Sequence, residues 1–99
     1  MSHCVIAPLA SRDLNDIADY FVERNIEAGE RLLLEFNQKC QNLVSFPNMG
    51  KSYTRIRSGL RGVPLNGYII FYRMLADGIE ILRVVSGRQD LEVLFDDQT

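Results

Sequence analysis

Histidine is almost missing from this 99-residue chain. The only one is His3, near the start of the sequence, so neither a histidine-based catalytic triad nor a multi-histidine metal cluster is expected. Cysteine is scarce as well. Cys4 and Cys40 stand too far apart in sequence for a metal-ligand pair, and no metal site is expected. Two reduced, buried thiols suit the cytoplasm, which is the expected compartment. No apolar run approaches the roughly 20 residues that span a bilayer. The opening MSHCVIAPLA lacks a basic stretch followed by a long apolar one, so no secretory signal is expected. Gly59, Gly62 and Gly67 fit neither a P-loop nor a dinucleotide-binding turn, and no cofactor is expected.

What is present is an ordinary globular composition, 46% hydrophobic and 24% charged, read as one domain over 1–99. Its charge is segregated. Residues 1–46 carry a net −3 and residues 89–99 a net −4. Between Lys51 and Arg88 lie seven of the eleven Lys and Arg beside only Asp77 and Glu80, a local net of +5 in a chain of −2. These arginines interrupt segments otherwise built for burial. Apolar strands do not need guanidinium groups, so some are expected to meet an anion, a nucleic acid or an acidic partner.

The periodicity predicts a β-α-α-β-β-β order. His3 to Pro8 reads as a strand. Leu14, Ile17, Ala18, Phe21 and Val22 recur at helical spacing, which predicts a helix over about 12–24 with Ser11 as its cap. Ala28, Leu32, Leu33, Phe36, Cys40 and Leu43 predict a second helix over about 27–45, ended by Pro47. Alternation of Tyr53, Arg55 and Arg57 suggests an amphipathic strand. Tyr68–Leu75 and Ile79–Val85 read as two more, joined at Asp77-Gly78, with a short helix possible over 90–95. The fold class is α+β: a helical hairpin packed on a small, mostly antiparallel sheet.

A turn at Asp77-Gly78 would pair Tyr72 with Arg83 and Ile70 with Val85, making both faces of this hairpin largely apolar. One helical pair covers one face. The other is therefore expected to stay open for a partner. Arg57, Arg61, Tyr72, Arg83 and Arg88 are the candidate partner-binding residues. Arg57, Arg61 and Arg88 lie near loops, where function concentrates. Arg83 is expected to stack on Tyr72 or to bond the C-terminal carboxylates, and Arg73 to pair with Glu80. Asp13, Asp16 and Asp19, spaced at i, i+3, i+6, read as a solvated helix face.

Assembled, these residues resemble the RelE/ParE superfamily of type II toxin–antitoxin toxins. ASRDLNDIADY at 10–20, FPNMGKSY at 46–53, IRSGLRG at 56–62, IIFYR at 69–73 and ILRVVSGRQDLEVLF at 81–95 carry the likeness over nearly the whole chain. The resemblance is to the ParE branch, which implies a toxin that inhibits DNA gyrase by binding and is neutralised by a ParD-like antitoxin. It implies no membrane association and no sequence-specific DNA binding by this chain alone. The alternatives are a ribosome-dependent mRNA endoribonuclease of the RelE kind, using Arg57, Arg61 and Arg88, and a degenerate member that only binds its antitoxin. The ribonuclease branch carries basic residues and a C-terminal tyrosine where this chain has Ile69, Gln89 and Phe95. Without those groups, phosphoryl-transfer chemistry lacks charge stabilisation and an acid/base partner.

Overall fold

The computed structural model describes residues 3–96, with the side chain of Asp96 left out. A first strand, β1 (His3–Ile6), leads into two helices, α1 (Pro8–Val22) and α2 (Ile26–Ser45). Four strands follow, β2 (Lys51–Ser52), β3 (Arg61–Leu65), β4 (Tyr68–Leu75) and β5 (Gly78–Ser86), and then a short helix, α3 (Leu91–Asp96). The strands form one sheet in the order β1-β5-β4-β3-β2, antiparallel except for β1 alongside β5. The α+β class stands.

Helix α1 starts earlier than expected because Pro8 takes its first turn, where a missing N–H costs nothing. Ser11 therefore lies inside the helix and is not its cap. Asn25 caps α2 by accepting a hydrogen bond from the Ala28 N–H at 3.1 Å. The helices pack closely beside Gly29, where a Cβ would lie 2.7 Å from that of Phe21. Ala10, Ile17, Leu32, Phe36, Cys40 and Leu43 meet Val63, Leu65, Ile70, Tyr72, Ile79, Ile81 and Val84 of the sheet in the larger core. Val22, placed on the apolar stripe by its spacing, is instead exposed.

The expected strand over 53–58 is a loop. Tyr53 accepts from the N–H groups of Ile56 and Arg57, and its own N–H reaches Leu60, so the segment closes on itself. Gly59 adopts φ +79°, incompatible with a continuing strand. The strand lies beyond it, at Arg61–Leu65. Asn66 and Gly67, both at positive φ, form the two-residue turn into β4.

The β4–β5 turn is Ala76-Asp77, since Leu75 already pairs with Gly78. Gly78 has no room for a side chain against the backbone of His3, which lets β1 lie alongside. Tyr72 therefore pairs with Ile81, not Arg83. A bulge follows, with Phe71 opposite Arg83, which turns Val84 toward the helices and Val85 away.

The expected open sheet face is closed by the chain itself. Leu60, Phe71, Val85 and Phe95 form a second buried cluster, flanked by Tyr53, Ile56, Ile69, Leu82, Leu91 and Leu94. The 53–60 loop and α3 supply the cover. Among the described residues, the sheet thus provides no open apolar face from which to infer a partner.

Candidate functional site: arginines and grooves of a partner-binding surface

The five candidate residues do not converge on one pocket. Tyr72 is fully buried. Its hydroxyl donates to the Pro47 carbonyl at 2.7 Å and accepts from the Gly50 N–H at 2.9 Å, fastening the turn after α2. Burial pushes its pKa up, against the opposing effects of the Gly50 N–H and the nearby Arg61 charge. Arg61 sits on the same turn, donating to the carbonyls of Gly50 at 2.8 Å and Asn48 at 3.3 Å. Tyr72 and Arg61 thus hold one loop from two sides.

Arg83 neither stacks on Tyr72 nor bonds a C-terminal carboxylate among the described residues; its partner is on α1. Its guanidinium grips Asp13 through Nε at 2.8 Å and Nη2 at 3.0 Å. That carboxylate also accepts the Val84 N–H at 2.9 Å. The bond to Asp13 holds the Arg83 pKa above its ordinary value, outweighing burial. Asp13 is consequently drawn inward, while Asp16 and Asp19 remain exposed as expected. An open cleft of about 280 Å³ surrounds the pair, bordered by Asp16, Tyr68, Ser86 and Gln89.

Arg57 is half-buried in the 53–60 loop. Arg88 is exposed in the turn after β5 and has no ion pair among the described residues. Arg73 pairs with Glu80 across the hairpin at 2.6 Å, as expected. Arg55 faces Glu92 of α3 at 4.0 Å, on the exposed rim of the second core. Asp97, one of the terminal acids, lies outside the described residues.

Exposed apolar surface lies on the helical side. A groove of about 220 Å³ between the helices is lined by Ala18, Phe21, Val22, Ile26, Gly29, Glu30 and Leu33. Val22 and Ile26 at its end are 62% and 57% exposed, and Leu34 nearby on α2 is 68% exposed. A larger groove of about 510 Å³ separates β1 from α2, lined by Cys4, Ile6, Phe36, Asn37, Cys40, Gln41 and Val44. Sequence reasoning sought apolar docking surface on the sheet. The signal for the helical grooves was the excess width of the apolar stripes, with Val22 and Leu33 on their margins.

Both cysteines are free thiols, Cys40 buried and Cys4 half-buried. Both line the larger groove. Burial pushes both thiols up, Cys40 to about 12.

Residues 5–91 match the family model described as the ParE toxin of the type II toxin–antitoxin system parDE. Toxin ParE3 of Caulobacter vibrioides is 27% identical over 82 residues, covering 82% of each chain. The fold is similar to a solved chain titled as the chromosomal ParDE TA system from P. aeruginosa. The TM-score is 0.73 at 21% identity, over 87% of this chain and 96% of that one.

Proposed function

The chain belongs to the ParE toxin family of type II toxin–antitoxin systems, and from that premise we propose that it acts by binding, not by cutting. Its target is DNA gyrase, and a small ParD-like antitoxin holds it silent. It works in the cytoplasm without a membrane, and reads no DNA sequence by itself.

Phe95 carries the choice of binding over cleavage. It stands where the ribonuclease branch has a tyrosine. Here the ring is 3% exposed and packs edge-on against Phe71 at 5.1 Å between centroids. A phenyl ring in that position offers no hydroxyl and serves the second core. Arg61 and Arg83 are likewise engaged by oxygens of their own chain, whereas a transferring phosphoryl group needs cations aimed at it. The exposed Arg88 suits a macromolecular contact. The apolar grooves of the helical pair suit an amphipathic antitoxin segment, whose acidic groups would meet exposed Arg88.

Purified protein is assayed for inhibition of gyrase supercoiling beside translation-coupled mRNA cleavage. Inhibition with intact message supports the proposal. Cleavage with normal supercoiling replaces it with a ribosome-dependent ribonuclease. Neither effect, with growth unchanged on induction, marks a member that only binds its antitoxin.

A further inference from the structure

Cys4 and Cys40 bring two thiols together where the edge strand meets the longer helix. They lie 36 positions apart in the chain and share the wall of one solvent-open groove with Ile6, Phe36 and Val44. Cys4 is the shallower, in β1; Cys40 belongs to the buried stripe of α2. The proposed binding chemistry uses neither. We propose that Cys4 and Cys40 form a reversible oxidation site, in which a hydroperoxide converts the pair to a disulfide that staples β1 to α2 across the groove.

Exposure sets the order of events. Cys4 is half-buried and Cys40 buried, so an oxidant in the groove reaches the Cys4 sulfur first. The Cys4 thiolate attacks a peroxide oxygen. The O–O bond breaks, leaving Cys4 sulfenic acid and releasing water once a proton is taken up. The Cys40 sulfur then attacks the Cys4 sulfur, the S–OH bond breaks, and a second water leaves with the Cys40 proton. Overall, two thiols and one hydrogen peroxide give one disulfide and two waters. A cellular dithiol returns the pair to the reduced state by exchange. Burial disfavours both thiolates at neutral pH, so the site is slow to fire and responds to sustained oxidant. Cytosolic disulfides of this transient kind act as sensors.

The full chain is exposed to hydrogen peroxide under native conditions, alkylated and mapped by mass spectrometry. The expected product is an intramolecular Cys4–Cys40 disulfide, reversed by dithiothreitol. Its thermal midpoint is expected to rise by roughly 10 °C, because the closed loop restricts the unfolded chain. Cys40→Ser should leave a sulfenic acid at Cys4 that dimedone traps. Cys4→Ser should leave Cys40 unmodified at the same dose. Independent over-oxidation of the two thiols, cross-links only between chains, a lowered midpoint, or no reaction at a dose that oxidises exposed thiols would each overturn the staple.

Discussion

Asp13 and Arg83, 70 positions apart, hold each other through two parallel hydrogen bonds at 2.8 and 3.0 Å. The same carboxylate takes the Val84 N–H at 2.9 Å, so one side chain of α1 is tied to both a guanidinium and the backbone of β5. The ligation falls beside the bulge, where Val84 is turned into the helix-side core. Only 12% of Asp13 and 16% of Arg83 side-chain surface is exposed. Asp13→Ala would leave a largely buried cation and an amide without partners, and should cost about 3 kcal/mol. A double-mutant cycle with Arg83→Met in denaturant unfolding checks it. Coupling near zero would refute the role given to the pair.

Tyr72→Phe keeps the ring and removes the oxygen that joins Pro47 to Gly50. The Gly50 N–H is then left without that acceptor, at a cost of about 1–2 kcal/mol. Gly50→Ala attacks the same joint from the other side, since its Cβ would lie 2.5 Å from the hydroxyl. Both variants should lower the denaturant midpoint. A Tyr72→Phe midpoint equal to the parent's would show that the hydroxyl is dispensable.

Local pattern reached far in this chain and stopped at particular residues. The Leu32–Leu43 stripe marked α2 because helical spacing is a property of neighbours. The β4–β5 faces were legible on Tyr72 and Ile81, because a turn displaced by one residue moves each pair by two and keeps parity. They failed at Val84 and Val85, because a bulge is set by tertiary contacts such as that of Asp13. Asn66-Gly67 did carry a turn signal, masked by the alternation of Tyr53, Arg55 and Arg57 just before it. The arginine-rich segment was visible as charge. Its division between internal and outward-facing groups was not, since Asp13 and the carbonyls of Asn48 and Gly50 come from distant elements. Phe95 looked like a tail residue, and only the fold shows it sealing the sheet.

Phe95→Ala should therefore behave as a core mutation despite its place near the chain's end. The ring contacts Phe71, which also packs edge-on against Tyr53 at 5.1 Å, so its loss opens a cavity under both covers. A destabilisation of about 3 kcal/mol is expected, with new binding of an apolar dye to the uncovered sheet. Unchanged stability and no dye signal would mean that α3 does not seat on this face.

Arg88→Glu should separate stability from function. The side chain is exposed and makes no ion pair among the described residues, so unfolding free energy should move by no more than about 0.5 kcal/mol. If Arg88 anchors the gyrase contact, inhibition of supercoiling should weaken roughly 10-fold or more. Arg73→Gln is the comparison, since Arg73 is already engaged by Glu80, and it should leave inhibition unchanged. Equal losses from both substitutions would assign the effect to net charge, not to a contact at Arg88.

The alkaline limb of stability tests the burial of Cys40. Its thiol is held up to about 12 from an ordinary value of 9.0, chiefly by desolvation. Below the ordinary value both folded and unfolded chains keep the proton, and the stabilisation is fully present. Between there and about pH 12 the unfolded chain loses the proton while the folded chain retains it. The unfolded state then binds fewer protons, so stability falls with rising pH, by up to about 1.4 kcal/mol per unit for this group. Tyr72, also pushed up, adds a loss in the same direction once pH passes its ordinary value of 10.0. Cys40→Ala removes one titrating group and leaves a small cavity whose cost does not depend on pH. Unfolding curves in reductant from pH 8 to about 11 should therefore show a shallower decline for the variant than for the parent. Parallel declines would mean that the Cys40 thiol titrates alike in the folded and unfolded chains.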